Sequence, residues 1–165
     1  MRTKRRKADY TPHLDPQLAA QMHVAIIRAE FNAEITVSLE TWCIRTLRES
    51  GVPAANIARH SVPGCFEIPV VAQELARSKR FDVIIALGAV IRGDTHHFDL
   101  IANECARGVM QVSLDSGIPV IFEVLATYNR REALRRALND SSNKGVEAAH
   151  AALFAVAAMR AARAS

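Results

Sequence analysis

The chain has 165 residues, of which 50% are hydrophobic and 23% charged. This length and composition predict one folded domain and exclude both a large multidomain chain and an intrinsically disordered one. The formal net charge is +4, but five positive charges lie within the first seven residues, on Arg2, Lys4, Arg5, Arg6 and Lys7. The rest of the chain therefore has a net charge of 4 − 5 = −1. Because the domain itself is nearly neutral, we do not expect it to bind nucleic acid.

The first 20 residues combine this basic cluster with prolines and show no hydrophobic periodicity. We interpret residues 1–20 as a basic, flexible N-terminal arm, either solvated or in contact with an acidic partner or a neighbouring subunit. No apolar stretch long enough for a signal core or a membrane span is present, which predicts a cytoplasmic protein without a membrane partner.

The first half of the domain alternates short apolar runs with helical periodicity. His23–Arg28 and Ile57–Val62 are predicted to be strands. A helix is predicted from Ile35 to Gly51, with Trp42 and Cys43 among its apolar positions, and a second helix follows from Ile68.

The second half repeats this alternation. The nearly continuous apolar run 81–91 is typical of a central parallel strand that is covered on both faces. A helix from Phe98 to Gly117, a strand over 118–125, a short helix over 130–138 and a long Ala-rich helix over 145–163 follow.

Four strand and helix units in succession predict an α/β fold with three layers: a four-stranded parallel sheet with helices on both faces. We therefore interpret 21–165 as one domain. Ligands of such sheets bind at the carboxyl ends of the strands. The segments that follow the strands, and that should hold the site, are 30–34, 63–69, 89–99 and 122–129.

The first two segments each contain one candidate binding residue. At the strand exit Phe31-Asn32, a phenylalanine is ordinarily a core residue, and this interpretation is favoured over a pocket wall. In Val62-Pro63-Gly64-Cys65-Phe66-Glu67-Ile68-Pro69, Glu67 either stabilises the N-terminus of the next helix or binds a ligand.

The third segment reads Gly88-Ala89-Val90-Ile91-Arg92-Gly93-Asp94-Thr95-His96-His97-Phe98-Asp99. Its turn leads into a helix N-terminus, where free amides and the helix dipole favour an anion. Adjacent histidines on a helix point about 100° apart, so they do not form a joint metal site. Each is either a surface or capping residue or a proton-transfer group.

The remaining residues that could carry chemistry are basic residues and cysteines. Arg130, Arg131, Arg135 and Arg136 form a basic helix, either a solvated face or the source of one phosphate-binding arginine, and Asn143-Lys144-Gly145 opens the last helix. The three cysteines, Cys43, Cys65 and Cys105, are odd in number and widely spaced, which predicts reduced packing thiols rather than disulfides or a metal site.

Together, the Phe31-Asn32 pair, the 62–69 and 88–99 segments and Asn143-Lys144-Gly145 resemble the signature of the lumazine synthase family over about residues 22–160. The resemblance implies a flavodoxin-like subunit of riboflavin biosynthesis. Its reaction would join 5-amino-6-ribitylamino-uracil to 3,4-dihydroxy-2-butanone 4-phosphate, giving 6,7-dimethyl-8-ribityllumazine, phosphate and water. It implies no metal and no organic cofactor.

The same resemblance assigns roles to residues. Phe31, with Asn32 beside it, would stack on the pyrimidine ring, whose edge would meet the backbone of Ala89, Val90 and Ile91. The residues that would line the ribityl pocket are Cys65, Phe66 and Glu67. The phosphate would be held by Asp94, Thr95 and Arg136, and His97 would transfer protons.

The resemblance also implies self-association. Phe122 matches an aromatic contributed by a neighbouring subunit of a pentamer, and Lys144 matches a lysine near the substrate. A pentamer, a decamer and a hollow icosahedral shell are all compatible with the sequence. The chain departs from the family pattern at Asp94, at Cys65, at Trp42-Cys43 and at Glu123-Val124-Leu125-Ala126-Thr127. A binding module without turnover and a structural shell protein are the alternative hypotheses.

Overall fold

The computed structural model describes residues 15–165, and its centre is a four-stranded sheet in which all strands are parallel. The strands are Val24–Ala29 (β1), Ile57–Val62 (β2), Val83–Ile91 (β3) and Val120–Thr127 (β4), and they lie side by side in the order β2-β1-β3-β4. The chain first extends the sheet from β1 to β2 and then crosses back to β3. The strand order therefore reverses between β1 and β3, the place where sheets of this kind bind ligands.

Six helices cover the sheet: Pro16–Gln21 (α1), Ala33–Glu49 (α2), Ile68–Arg77 (α3), His97–Ser116 (α4), Arg130–Arg136 (α5) and Lys144–Ala164 (α6). Core residues of α1, α2, α5 and α6 pack on one face of the sheet, and those of α3 and α4 pack on the other. This confirms the predicted three-layer α/β/α architecture, which is of the flavodoxin-like kind.

The alternation of side chains along the central strands explains why both faces are covered. In β1, Val24 and Ile26 point to the α2 and α6 face, whereas Ala25 and Ile27 point to the α3 and α4 face. All four are fully buried. Strand β3 repeats this pattern. A strand that is apolar on both faces needs a helical layer on each side, as its continuous apolar sequence predicted.

The structure extends the fold a few residues into the segment interpreted as an arm. Pro16–Gln21 forms a helix whose N-cap, Asp15, accepts a hydrogen bond from the backbone N–H of Gln17 at 3.0 Å. Ala19 and Met22 are fully buried against the core. The sequence showed no periodicity here because the helix is short. The basic cluster itself lies outside the described residues.

The two later strands begin two residues after their predicted starts. Asp82 is held outside β3, because its carboxylate accepts from the backbone N–H of His23 at 2.8 Å. At β4, the hydroxyl of Ser113 donates to the carbonyl of Ile118 and accepts from the N–H of Val120. Residues 118–119 are thereby tied to the end of α4, and the edge strand continues to Thr127.

The three cysteines are buried and free, as predicted. Burial raises the pKa of the Cys65 thiol to about 11 and that of the Cys105 thiol to about 12, so both are neutral. Within residues 15–165, no helix has the length and apolar character needed to span a membrane.

Helices α2 and α6 approach each other most closely at Gly145. A Cβ atom added there would lie 2.0 Å from the carbonyl oxygen of Leu39 and 3.0 Å from the backbone nitrogen of Cys43. These obstacles are backbone atoms, which cannot rotate away as a side chain could. Glycine at this position therefore sets the distance between the two helices and the place where α6 begins.

We expect Gly145→Ala to destabilise the fold by about 1–3 kcal/mol, the usual cost of forcing additional volume into a packed interior. Thermal or denaturant unfolding monitored by circular dichroism would measure the loss. The control is Gly93→Ala, because an added Cβ at Gly93 meets nothing within 4 Å. Its change should stay within about 0.5 kcal/mol, and equal effects of the two substitutions would contradict the packing argument.

Candidate active site

Backbone hydrogen bonds hold together the segments that follow β1 and β2. The N–H of Glu30 donates to the carbonyl of Val62 at 2.8 Å, and the N–H of Phe31 donates to the carbonyl of Pro63 at 3.1 Å. The first of the predicted ligand-binding segments is thus joined directly to the second. Their relative position is set by the backbone rather than by mobile side chains.

Asn32 joins the first segment to the third across the point where the strand order reverses. Its side-chain nitrogen donates to the carbonyl of Ala89 on β3 at 2.9 Å. Its backbone is left-handed, with φ 59°, a conformation that asparagine tolerates better than most residues. The side chain makes no capping bond to α2, which begins at the next residue. Asn32 therefore braces the site between the two central strands.

Two aromatic rings stand at this edge of the sheet. Phe31 is 74% exposed and Phe66 is 56% exposed. The favoured interpretation of Phe31 as a core residue is therefore wrong, because the turn into α2 directs its side chain away from both hydrophobic cores. The pocket-wall alternative is the one compatible with this exposure, since an apolar ring in solvent provides a stacking surface for a planar ligand.

The turn after β2 places Cys65 and Glu67 differently. Cys65 is buried, and its sulfur lies over Gly88 of β3, so close that an added Cβ at Gly88 would be 2.5 Å from it. The thiol therefore faces the sheet and not the open edge. One carboxylate oxygen of Glu67 accepts from the N–H of Gly64 at 2.9 Å, which closes the turn. Glu67 thus has a structural contact, and the binding alternative remains a proposal.

The segment between β3 and α4 supplies a helix N-terminus. The N–H of Arg92 donates to the carbonyl of Thr127 at 2.9 Å, which ties the start of this segment to the end of β4. Asp94 and Thr95 are exposed, and His96 at the N-cap of α4 makes no capping bond through its side chain. The first amides of this 20-residue helix are therefore not capped by His96, and the N–H of His97 makes only a long contact of 3.4 Å with the Thr95 hydroxyl, which leaves this terminus open to an anion.

The two adjacent histidines differ in their surroundings. His96 Nδ1 lies 3.6 Å from the carboxylate of Asp99, one turn further along α4. His97 is exposed, and its backbone N–H points to the hydroxyl of Thr95 at 3.4 Å. Within residues 15–165 no hydrogen bond or ion pair engages the His97 imidazole. A ring that is exposed beside a free helix N-terminus can exchange protons with a bound ligand.

Charged groups reinforce the α2 side of the strand ends. Arg28 donates to the carboxylate of Glu30 at 3.1 and 2.7 Å, and Arg59 donates to that of Glu40 at 3.0 and 2.8 Å. Arg28 also lies 3.2 Å from the nearly buried Glu40. The pKa of Glu30 is lowered, first by its hydrogen bond to Arg28. This network fixes Glu30, the residue immediately before Phe31.

Three of the candidate residues are set on other parts of the chain. Phe122 is paired with Ala86 in the sheet, whereas Ala89 is paired with Leu125, so Phe122 stands about 10 Å back along β4 from the level of Ala89. Arg136 donates to the carbonyl of Glu132, and Lys144 forms an ion pair with Glu147. In the described chain, no hydrogen bond or ion pair connects these three side chains to His97, Thr95 or Phe31.

Glu123 was not predicted to be a site residue, although it directly follows Phe122 on β4. Its neighbours Ile121 and Leu125 point to the α2 and α6 face, so Glu123 points there as well. Burial raises its pKa to about 7, and the nearby Lys144 opposes this shift. An acidic residue within an otherwise apolar strand was the signal that could have identified it.

Phe31, Phe66 and His97 leave an open surface at the strand ends of the chain. A groove of about 640 Å³ lies elsewhere, between α2 and the edge strand β2, and is lined largely by charged residues. Within residues 15–165, no group of three or more His, Cys, Asp or Glu side chains is arranged to hold a metal ion. The arrangement can therefore stack a ring, bind an anion and transfer a proton, provided that something covers it.

A comparison of the sequence with known protein families gives a match to the family described as 6,7-dimethyl-8-ribityllumazine synthase. The match extends over residues 21–160. It includes all four strands, the segments at their carboxyl ends and nearly all of α6.

We expect Glu123→Gln to change how stability depends on pH. Because the folded-state pKa of about 7 is above the ordinary value of 4.5, the protonated carboxyl favours the fold below about pH 4.5. That contribution is lost as the pH rises through about 7. Thermal unfolding between these limits should show the wild type losing stability relative to Glu123→Gln.

The control for this measurement is Glu74→Gln, which alters an exposed carboxylate on α3. Its unfolding temperature should follow that of the wild type at every pH. Parallel curves for wild type and Glu123→Gln would show that Glu123 does not titrate in this way.

Proposed function

Because the chain belongs to the 6,7-dimethyl-8-ribityllumazine synthase family, and is therefore a transferase of riboflavin biosynthesis, we propose that it condenses 5-amino-6-ribitylamino-uracil with 3,4-dihydroxy-2-butanone 4-phosphate. The products are 6,7-dimethyl-8-ribityllumazine, phosphate and water. The observation that carries the proposal is the meeting of the family's motif segments at one edge of the sheet, where the strand order reverses between β1 and β3.

The pyrimidine substrate stacks on Phe31, whose ring is exposed at the strand ends. The backbone of Ala89, Val90 and Ile91 meets the ring edge. Asn32 contributes by holding the carbonyl of Ala89 in place. Hydrogen bonds from a fixed backbone select a planar heterocycle at little entropic cost, because nothing has to be ordered on binding.

The ribityl chain lies along the turn formed by Cys65, Phe66 and Glu67. Since the thiol of Cys65 faces Gly88, the contribution of this residue is made by its backbone. Glu67 keeps one oxygen on the N–H of Gly64 and accepts a ribityl hydroxyl with the other. The contact that closes the turn thus also orients the carboxylate toward the substrate.

The phosphate binds at the N-terminus of α4. The amides that follow Asp94 and Thr95 are directed at the anion, and the Thr95 hydroxyl donates to it. Asp94 is exposed, so its carboxylate can point to solvent while its amide faces the phosphate. Arg136 adds a charge-assisted hydrogen bond.

His97 transfers the protons that the condensation requires. The amine attacks the carbonyl and a first water leaves as the imine forms; phosphate is then eliminated, and the second amine closes the ring on the remaining carbonyl with loss of a second water. Each step moves a proton at neutral pH, where histidine is the most effective side chain. No metal or organic cofactor is needed in this scheme, because an amine and a carbonyl already react slowly. Holding them together with the correct orientation accounts for most of the acceleration.

The site is completed by a neighbouring subunit. Phe122 stands back from the strand ends, and within residues 15–165 Arg136 and Lys144 contact Glu132 and Glu147 rather than the strand-end group, which supports their use by an adjacent copy. Leu100, Met110 and Leu114 on α4 are exposed apolar residues of the kind that self-association buries. We propose a pentamer or a larger assembly of pentamers. The free cysteines suit the reducing cytoplasm.

The direct test mixes the purified protein with the two substrates and follows the absorbance of the lumazine product. The spontaneous reaction is subtracted using the same mixture without protein. Product formation above this background is the expected result. Binding of the product without any acceleration would instead identify a binding module and overturn the proposed function.

We expect His97→Ala to lower kcat by about a hundredfold, the usual contribution of a positioned acid or base. The matched control is His96→Ala, which removes the adjacent imidazole and should leave kcat within about threefold of the wild type. Both variants should retain the KM values for the two substrates. Equal losses of kcat in the two variants would remove the specific role of His97.

We expect Arg136→Ala to raise the KM for the butanone phosphate by about tenfold, since a charge-assisted hydrogen bond is worth about 1.5–3 kcal/mol before solvent screening. Arg135→Ala, which removes the neighbouring exposed arginine, is the control. The KM for the pyrimidine should not change in either variant.

The proposed sharing of the site predicts complementation. If His97 and Arg136 of one site come from different subunits, co-assembly of His97→Ala with Arg136→Ala subunits should restore about a quarter of the sites. The mixed assembly should then exceed the average activity of the two separate variants. A mixture that only matches this average would place both residues in the same subunit's site.

A further inference from the structure

The residues between α5 and α6, 137–143, form a loop that is held on α2 by two sets of hydrogen bonds. The inner set involves Ser38, whose hydroxyl donates to the carbonyl of Ala137 at 2.9 Å and accepts from Asn143 Nδ2 at 3.0 Å. The outer set is a single bond, from Trp42 Nε1 to Asn139 Oδ1 at 3.1 Å. Ser38 and Trp42 lie one turn apart on α2, so they present both contacts along the same side of the helix.

The two sets differ in burial. Asn143 is fully buried, and it also donates to the carbonyl of Leu138 at 2.8 Å and accepts from the N–H of Gly145 at 2.8 Å. The Trp42–Asn139 bond is exposed. The inner set therefore anchors the start of α6, whereas the outer bond adds little to the core. The effect of the Trp42–Asn139 bond is therefore expected on the conformation of the loop.

The outer bond fixes the middle of the loop at Asn139, since the inner set already holds the carbonyls of Ala137 and Leu138. The second half already folds on itself, because the N–H of Asn143 donates to the carbonyl of Asp140 and the N–H of Ser142 donates to the Asp140 carboxylate. For Asn139, the contact with Trp42 supplies the connection to α2. The guanidinium of Arg45 lies over the Trp42 ring, 4.8 Å from its centre, and this cation–π contact also restrains the ring.

Trp42 was predicted to lie among the apolar core positions of α2, but it is only partly buried and its indole N–H is hydrogen-bonded at the surface. A partly buried tryptophan whose indole N–H is hydrogen-bonded to a loop residue connects α2 to that loop rather than filling the core.

The loop lies between two residues assigned to the substrate: Arg136 immediately precedes it and Lys144 immediately follows it. We propose that Trp42 is a positioning residue which, through Asn139, holds loop 137–143 so that Arg136 and Lys144 are preorganised for the phosphate-bearing substrate. The inference rests on the proposed function. It adds to it a residue that touches neither substrate and that acts from a different helix.

The test compares Trp42→Phe, which keeps an aromatic ring but removes the donor, with Asn139→Ala, which removes the acceptor. Loss of this bond should raise the KM for the butanone phosphate about threefold to tenfold. The KM for the pyrimidine and kcat should stay within about twofold, because neither the stacking ring nor His97 is disturbed. The double variant should show no larger increase than either single variant, since both remove the same bond.

Gln111→Ala is the matched control. It removes another exposed side-chain hydrogen bond, from Gln111 to Asp115 at 2.6 Å on α4, with no contact to the loop. Its kinetic constants should equal those of the wild type. Unchanged KM for the phosphate substrate in both Trp42→Phe and Asn139→Ala would overturn the proposal, even if their unfolding temperatures fall. A rise in both KM values together would overturn it as well.

Trp42 is the only tryptophan of the chain, which provides a readout that does not depend on turnover. Titration of the wild type with inorganic phosphate should change its emission in a saturable way, and Asn139→Ala should need about threefold to tenfold more phosphate. If the wild type forms product but neither the saturable emission change nor the higher phosphate requirement of Asn139→Ala is seen, the positioning role alone is overturned. If the wild type forms no product, the proposed function is overturned. In that case, emission that does not respond to phosphate would overturn the positioning role as well.

Discussion

The fold depends on one constraint: the central strands β1 and β3 are apolar on both faces and have to be covered on both. Helices on the two sides can be reached only by crossover connections, which make the sheet parallel and align the strand ends at one edge. The reversal of strand order between β1 and β3 opens that edge. The location of the site is thus a consequence of how the hydrophobic core is closed.

The strand ends are then made rigid by polar contacts rather than by packing. Asn32, just after β1, donates a hydrogen bond to the carbonyl of Ala89 on the neighbouring strand β3. Arg28 and Glu40 stabilise the chain just before Phe31, and Glu67 closes the turn after β2. An enzyme that works mainly by orientation benefits from such preorganisation, because a fixed backbone loses little entropy when the substrate binds. The exposed rings of Phe31 and Phe66 are compatible with a ligand and a second subunit covering them.

A second group of contacts lies between α2, α6 and the loop that precedes α6. Gly145 lets α6 approach α2 to backbone distance, Asn143 caps α6 from a buried position, and Trp42 holds the intervening loop. Burial raises the pKa of Glu123, and the charge of Lys144 opposes this shift. Helix α2 takes part in both groups of contacts, because it follows Asn32 at one end and meets Gly145 further along. Helix α2 therefore connects the strand ends to the start of α6.

The sequence by itself determined the α/β class, the order of strands and helices and the segments at the strand ends, because hydrophobic periodicity and turn residues are local properties of the chain. It also identified the family through motifs at those segments. Tertiary structure alone decided that Phe31 is exposed and that the Cys65 thiol faces the sheet. It also decided that Trp42 is only partly buried and donates a hydrogen bond to Asn139. The structure shows as well that Arg136 donates to the carbonyl of Glu132 and that Lys144 pairs with Glu147. The positions of Phe31, Cys65 and Trp42 depend on which residues meet across elements distant in sequence, and no local pattern encodes such distances.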